Sequence, residues 1–266
     1  MINTIKVGAL EYLTADNIPA PHCFTTRYGG VSTGHLAAMN IGTRRGDTRE
    51  NVVQNYRILG DAVGFAPEQL VHTRQTHTDI VLRVGAGETG AGLFAPELPE
   101  CDGLITNEPG VGLVVFTADC TPILLHDPVT GAVGAVHAGW RGTAAAIGAK
   151  AVEAMKQEFG CKPEHIRAAI GPNIAQCCFE TDQDVPQAML ARYGAAAQPF
   201  IRPVGNKYYV NLKEINALSL RIAGVQDISI SNLCTACDTD RFWSHRRVGS
   251  ARGSQGAIIL CKEVSL

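Results

Sequence analysis

Cys120 and His137 stand on two apolar runs separated by a turn, in residues 116–142, FTADCTPILLHDPVTGAVGAVHAGWRG. Asp127-Pro128-Val129-Thr130 has turn chemistry, with proline at its second position and Gly131 following. An antiparallel hairpin folded around those four residues sets Asp127 opposite Thr130 and therefore Cys120 opposite His137. Residues paired in this way share a sheet face, with Cβ atoms roughly 4.5–5.5 Å apart. A thiol and an imidazole so placed can be two soft ligands for zinc or copper(I). They can equally be a nucleophile and its base, or a buried thiol beside a core histidine. Asp119, next to Cys120, falls on the other face of the strand and is expected to be a local hydrogen bonder.

Other chemistry-bearing residues lie in short polar stretches. Arg74-Gln75-Thr76-His77 supplies a further imidazole, and a His77, Cys120 and His137 set would leave a fourth tetrahedral position open, as in catalytic zinc sites. Arg27 precedes Gly29-Gly30, and Arg246, Arg247 and Arg252 lie in WSHRRVGSARG. Guanidinium forks beside glycines suit phosphate or carboxylate, because glycine lets a ligand approach the backbone. Weaker patterns fail their context. Residues 85–90 match G-x-G-x-x-G, but AGLFAPELP follows and cannot open a long helix. Cys234-Thr235-Ala236-Cys237 reads as a lone C-x-x-C without a partner pair, and Cys177-Cys178 as a packed thiol beside an exposed one. The H-x-E of zinc deaminases is missing, and the eight histidines form no H-x-H pair of the kind that bridges a copper cluster.

These residues need elements to position them. Residues 47–63 have an acidic first turn and a Val52, Val53, Tyr56, Leu59 stripe, which predicts a helix. Residues 143–159, with Ile147, Ala151, Ala154 and Met155 inward, predict another, as do 184–192 and 212–222. Strands are expected at 21–26, 70–72, 80–84, on either side of the 127–130 turn, and at 166–170, 207–210, 227–230 and 256–261. Residues 85–100, rich in glycine and proline, read as a surface or lid loop within one domain spanning 1–266. Helices and strands mix without strict alternation, so the expected class is α/β with mixed sheets and not a purely parallel doubly wound sheet.

Composition narrows the partners. The chain of 266 residues is 45% hydrophobic with a net charge of −2, enough for a sizeable core and without the basic surplus of a nucleic-acid binder. No apolar run approaches the ~20 residues of a membrane span, and the first residues lack a signal peptide's pattern. A cytoplasmic address is the default expectation. Nine irregularly spaced cysteines then point to buried thiols, ligands or nucleophiles ahead of disulfides.

TTRYGGVS (25–32), RQTH (74–77), CDGLIT (101–106), TADC (117–120), HAGWRG (137–142), IGP (170–172) and WSHRRVGSARG (243–253) occur in that order. Together, from about residue 20 onward, they resemble the YfiH/YlmD family, labelled polyphenol oxidase or laccase domain and also purine nucleoside phosphorylase. The resemblance implies α/β/β/α layers similar to a bacterial toxin's Cys-His deamidase domain. It implies a metal, zinc or else copper, held by His77, Cys120 and His137, and it aligns the family's functional arginines with Arg27 and Arg252 and its asparagine with Asn40. On this basis Cys120, His137, Arg27 and Arg252 are the expected catalytic residues, and Asn40, Gln75 and Arg247 the expected substrate contacts. The implied activity is phosphorolysis of purine nucleosides, with adenosine deamination as a second reaction. A metal-free Cys-His amide hydrolase and a copper-dependent phenol oxidase are the alternatives. The chain departs from the family where Thr78 follows His77 in place of glycine, and where Ala251 precedes Arg252.

Overall fold

The computed structural model describes residues 1–263. Two six-stranded mixed sheets are stacked face to face. The first runs β1 (Ile2–Val7), β2 (Leu10–Ala15), β3 (His22–Thr25), β15 (Gln255–Leu260), β7 (Gly112–Thr117) and β4 (Leu70–His72). The second runs β14 (Asp227–Ile230), β10 (Arg167–Ile170), β8 (Thr121–His126), β9 (Val133–Ala138), β6 (Gly103–Thr106) and β5 (Val81–Arg83). Strands β7, β8, β9 and β15 are apolar along most of their length because both of their faces are covered, the pattern expected of a doubly packed sheet.

Leu13, Phe24, Leu113, Val115 and Ile259 of the first sheet meet Leu104, Leu124, Val133 and Ala135 of the second in the central core. Helix α1 (Arg49–Val63) covers the outer face of the first sheet through Val52, Tyr56 and Leu59. On the far side, Ile147, Ala151 and Met155 pack with Ile123, Val136 and Leu220, so the helices there close a fourth layer. The order is α/β/β/α, as expected. Each fully buried leucine or isoleucine contributes roughly 1.5–3 kcal/mol by leaving water. A smaller sheet of β11 (Glu180–Thr181), β13 (Lys207–Val210) and β12 (Ile201–Val204) sits to one side. No helix among the described residues is long and apolar enough to cross a membrane.

Three local expectations change. The predicted 143–159 helix is two helices, α2 (Trp140–Ala144) and α3 (Ile147–Phe159), because Ala146 adopts a left-handed φ of 57° between them. The remaining helices are α4 (Asp184–Tyr193), α5 (Leu212–Ile222) and the short α6 (His245–Val248). The amino-terminal β1–β2 hairpin has no counterpart among the strands expected from sequence.

The third change concerns the register of the central hairpin. His126 pairs with Val133, and Pro122, not Cys120, is the residue opposite His137. The turn is longer than the dipeptide-centred one expected. Gly131, at φ 77°, lets its N–H donate to the Asp127 carbonyl, and the Asp127 N–H donates to Ala132. The register therefore moves by two residues. A two-residue step keeps every side chain on its face, so Cys120 and His137 are diagonal neighbours on one face instead of a directly opposed pair.

Candidate metal centre and anion-binding cleft

Gly139 is the residue that extends the register to a position opposite Cys120. A methyl group there would lie 2.8 Å from His77 Cδ2 and 3.4 Å from Cys120 Sγ. Glycine thus leaves the space into which His77 reaches from outside the hairpin. His77 Nε2 comes 3.8 Å from Cys120 Sγ. The His77 and His137 rings meet edge to face with centroids 5.0 Å apart. One nitrogen from each ring and the sulfur all lie within 4.8 Å of one another. His137 is buried, Cys120 half-buried and His77 exposed, so the set opens on one side to an adjoining cleft.

One carboxylate organises this set. Buried Asp102, at the entry to β6, accepts from His137 Nδ1 at 2.7 Å. Asp102 also accepts the N–H groups of Thr76, His77 and Thr78 at 3.2, 3.2 and 2.7 Å, and the Thr78 hydroxyl at 2.8 Å. An ionised carboxylate only accepts, so His137 Nδ1 carries the proton and Nε2 is left free as a ligand. The same grip holds His77 at a left-handed φ of 64°, a strained conformation for a non-glycine residue. Thr78, the departure from the family pattern, adds its hydroxyl to that grip. Asp102 was missed by the sequence reading. Its signal was an acidic residue opening the apolar strand GLIT in the CDGLIT motif.

Burial raises the Cys120 thiol, but the neighbouring His137 and His77 outweigh it and bring it down to about 6. Burial would lower His137, yet the Cys120 and Asp102 charges raise it to about 9. Without a metal the pair is therefore a thiolate and an imidazolium at neutral pH. Cys120 in metal-stripped protein is expected to alkylate with iodoacetamide at half-maximal rate near pH 6, against about 8.5 for a free cysteine. Peptide mass spectrometry across pH 5–9 reads this, and a midpoint near 8.5 overturns it. The donor set fits a transition metal: one thiolate, one imidazole with its tautomer fixed by a carboxylate, and a second imidazole at the solvent side.

A half-open cleft of about 150 Å³ adjoins the set. Arg252 and Arg45 converge on Ser254, whose hydroxyl lies 3.4 Å from Arg252 Nη1 and 3.2 Å from Arg45 Nε. Neither has a carboxylate partner among the described residues, whereas Arg44 pairs with Glu97 and Arg74 with Glu100. Arg252 is lowered to about 10 by burial and by Arg45, and it remains charged at neutral pH. Its Nε is buried without a partner. Two such cations side by side make a site for an anion. Phe116 and His72 stack with centroids 5.6 Å apart and form an aromatic wall of the cleft. Burial lowers His72 to about 4, so that ring is neutral.

Of the residues expected from sequence, His77, Cys120, His137, Gln75 and Arg252 line this cleft. The Gln75 amide is held by β7, accepting from Phe116 N–H at 2.6 Å and donating to its carbonyl at 2.8 Å. Arg27, Asn40 and Arg247 are not among the lining residues. Arg27 donates to the Thr239 and Ala37 carbonyls and lies 3.8 Å over the Trp243 ring. Buried Asn40 accepts from the Gly42 and Ser254 N–H groups and donates to Asp47. Asn40 thereby ties together the loops that carry Arg45 and Arg252. Arg247 donates to the Ala236 carbonyl and approaches Cys178 Sγ at 3.6 Å. Asp119, at a left-handed φ of 85°, accepts from Thr235, Ser244 and the Arg246 N–H, which anchors the chain next to Cys120.

Residues 21–262 match the family model described as multi-copper polyphenol oxidoreductase laccase. A Deinococcus radiodurans protein named purine nucleoside phosphorylase is 38% identical over 250 residues, covering 94% of this chain and 92% of its own. The Geobacillus stearothermophilus protein named purine nucleoside phosphorylase YlmD is 38% identical over 240 residues, covering 88% and 86%. The crystal structure of the Bacillus licheniformis hypothetical protein YfiH superposes with a TM-score of 0.91 at 32% identity, covering 97% of this chain and 98% of that one.

Proposed function

The chain belongs to the multi-copper polyphenol oxidoreductase laccase family, that of the YfiH and YlmD proteins, and from that membership and the chemistry of its cleft we propose that it is a zinc-dependent purine nucleoside phosphorylase. Adenosine, inosine, guanosine and methylthioadenosine are its substrates together with phosphate, and deamination of adenosine is its second reaction. The observation that carries this reading is the pair of arginines without acidic partners, Arg45 and Arg252, converging beside the His77, Cys120 and His137 set. An anion held there stands next to the ligand set and the Phe116 wall.

In phosphorolysis a phosphate oxygen bonds to the pentose anomeric carbon as the carbon–nitrogen bond to the purine breaks. The bonding pair leaves with the base, which takes up a proton. Arg45 and Arg252 orient the phosphate and stabilise charge as that bond breaks. The flat face of the base suits the Phe116 and His72 wall. His77, Cys120 and His137 would hold zinc, which supplies Lewis-acid polarisation of a substrate oxygen or an activated water for attack at adenine C6. Among the described residues only two histidines join this set, which favours a mononuclear site over a copper cluster.

Protein carrying zinc, given adenosine with and without phosphate, is expected to yield adenine and ribose 1-phosphate only with phosphate, and inosine in either case. Absence of all three products overturns the proposal. Arg45→Ala and Arg252→Ala are each expected to raise the phosphate KM by roughly 10–100-fold, the worth of a charged hydrogen bond. Unchanged phosphate saturation would remove both from the anion site. A second reading, a Cys-His amide hydrolase, is favoured by the order Cys120, His137, Asp102, which matches a thiolate, base and orienting carboxylate. Activity that survives chelation and is lost to iodoacetamide would select it.

A further inference from the structure

The lone C-x-x-C of the sequence has a partner pair after all. Cys177 and Cys178, in the loop after β10, meet Cys234 and Cys237, in the loop after β14. Strands β10 and β14 run parallel, with Ile170 opposite Ile230, so both loops leave the same end of adjacent strands. A bridge between Asn173 and Cys234 then brings the loops together. The Sγ atoms of Cys177 and Cys237 are 3.5 Å apart, those of Cys178 and Cys237 3.4 Å, and those of Cys177 and Cys178 3.8 Å. All four sulfurs lie within 4.8 Å of one another.

We propose that Cys177, Cys178, Cys234 and Cys237 form a second, structural metal site that holds one tetrahedral zinc ion. Four thiolates bound to zinc at about 2.3 Å occupy the corners of a tetrahedron with edges of about 3.8 Å. The sulfur separations approach that figure. The four cysteines of an iron–sulfur cluster are divided over two or more irons, which spreads at least some of them more widely than one shared ion does. Four protein ligands close the coordination sphere, unlike the open set at His77, Cys120 and His137.

The surroundings suit a charged thiolate cluster. The Ala175 N–H donates to Cys234 Sγ at 3.3 Å, and Arg247 reaches Cys178 Sγ. Lys213, only 5% exposed, donates to the Ser231 and Leu233 carbonyls at the base of the C-x-x-C loop. A divalent ion with four thiolates carries a net charge of about −2, and these two cations offset it. The arrangement also explains why Arg247 lies away from the cleft.

The site would brace the catalytic one. Within the C-x-x-C loop the Thr235 hydroxyl donates to Asp119 at 2.6 Å, and Asp119 directly precedes Cys120. Joining the two loops therefore fixes the far side of the peptide that presents the catalytic thiolate. The inference does not depend on the reaction catalysed.

Elemental analysis of protein purified under reducing conditions without added metal is the direct test. Wild-type protein is expected to carry two zinc ions per chain. The Cys177→Ser/Cys237→Ser double variant should carry one, and Cys120→Ala should carry the other one alone. Should the double variant not fold, cobalt(II)-substituted Cys120→Ala protein is expected to keep an intense thiolate-to-cobalt absorption band, which only the four-cysteine site can supply. A wild-type stoichiometry of one that survives in the double variant, an absent band in Cys120→Ala, or a native mass short of hydrogens from a disulfide among these cysteines would each overturn the proposal. So would iron with acid-labile sulfide. A stoichiometry of one that is lost only in the double variant would support it while removing zinc from the His77 set.

Discussion

Cys120→Ala is expected to leave the fold intact, to empty the His77 and His137 site of metal and to reduce phosphorolysis by about 10³-fold or more. Cys120 is the one anionic ligand of the set, and its thiolate is stabilised by both imidazoles. Removing it leaves only the two ring nitrogens of the set. Zinc sites with four ligands bind with about 10–16 kcal/mol at neutral pH, so the loss of one ligand costs roughly 3–4 kcal/mol, between two and three decades of affinity. Lewis-acid stabilisation worth several kcal/mol disappears with the metal. The fold should survive because Cys120 is half-buried at the mouth of the hairpin, where a missing sulfur leaves no closed cavity. Metal content, circular dichroism and turnover measured on one preparation decide the matter. A folded variant with wild-type turnover sinks the assignment of Cys120, and one that keeps its metal sinks the ligand set.

The legibility of this site in the sequence follows from which forces are local. The strands of the central hairpin were readable because their apolar runs are continuous, and the shared face of Cys120 and His137 was readable because side chains alternate along a strand. The register was not, because Gly131 could equally sit just past a two-residue turn or, as it does, inside a longer one. The break at Ala146 was hidden among good helix formers in TAAAIG, where tertiary packing overrides propensity. Strand β1 escaped notice because its residues are largely exposed and carry little apolar signal. Arg45 lacked a signal of its own, since its partner-free state depends on Glu97 taking Arg44. The four cysteines were visible singly, but only the parallel pairing of β10 with β14 joins the two pairs. The family itself was legible in seven short motifs, which lie in the loops and strand ends around the two clusters and the cleft.

Asp102→Asn carries the second large expectation, a loss of metal affinity of roughly 10–100-fold with a stability loss of about 3–5 kcal/mol. The wild-type carboxylate accepts from His137, from three successive backbone N–H groups and from the Thr78 hydroxyl. An amide in its place offers one oxygen and must turn its NH₂ toward some of those donors. If the NH₂ faces His137, the ring keeps Nδ1 bare and carries its proton on Nε2, which then cannot ligate. If the NH₂ faces the Thr76–Thr78 amides, the grip on His77 is lost. Either orientation disables one ligand while altering no ligand residue. The pH dependence of the metal-free protein gives a signature of its own. Burial raises the Asp102 carboxyl, but hydrogen bonds from His137 and Thr78 win and hold it at about 2. Its folded value thus lies below the unfolded one of about 3.9, so its contribution is present above pH 4 and fades as pH falls through 2. The gap in stability between wild type and Asp102→Asn should therefore be widest near neutrality and narrow between pH 4 and 2. Denaturant melts at several pH values, beside zinc competition titrations at pH 7, check both parts. A variant whose zinc affinity matches wild type would show that His137 orients itself without the carboxylate, and a gap independent of pH would show that the Asp102 charge adds nothing to the fold.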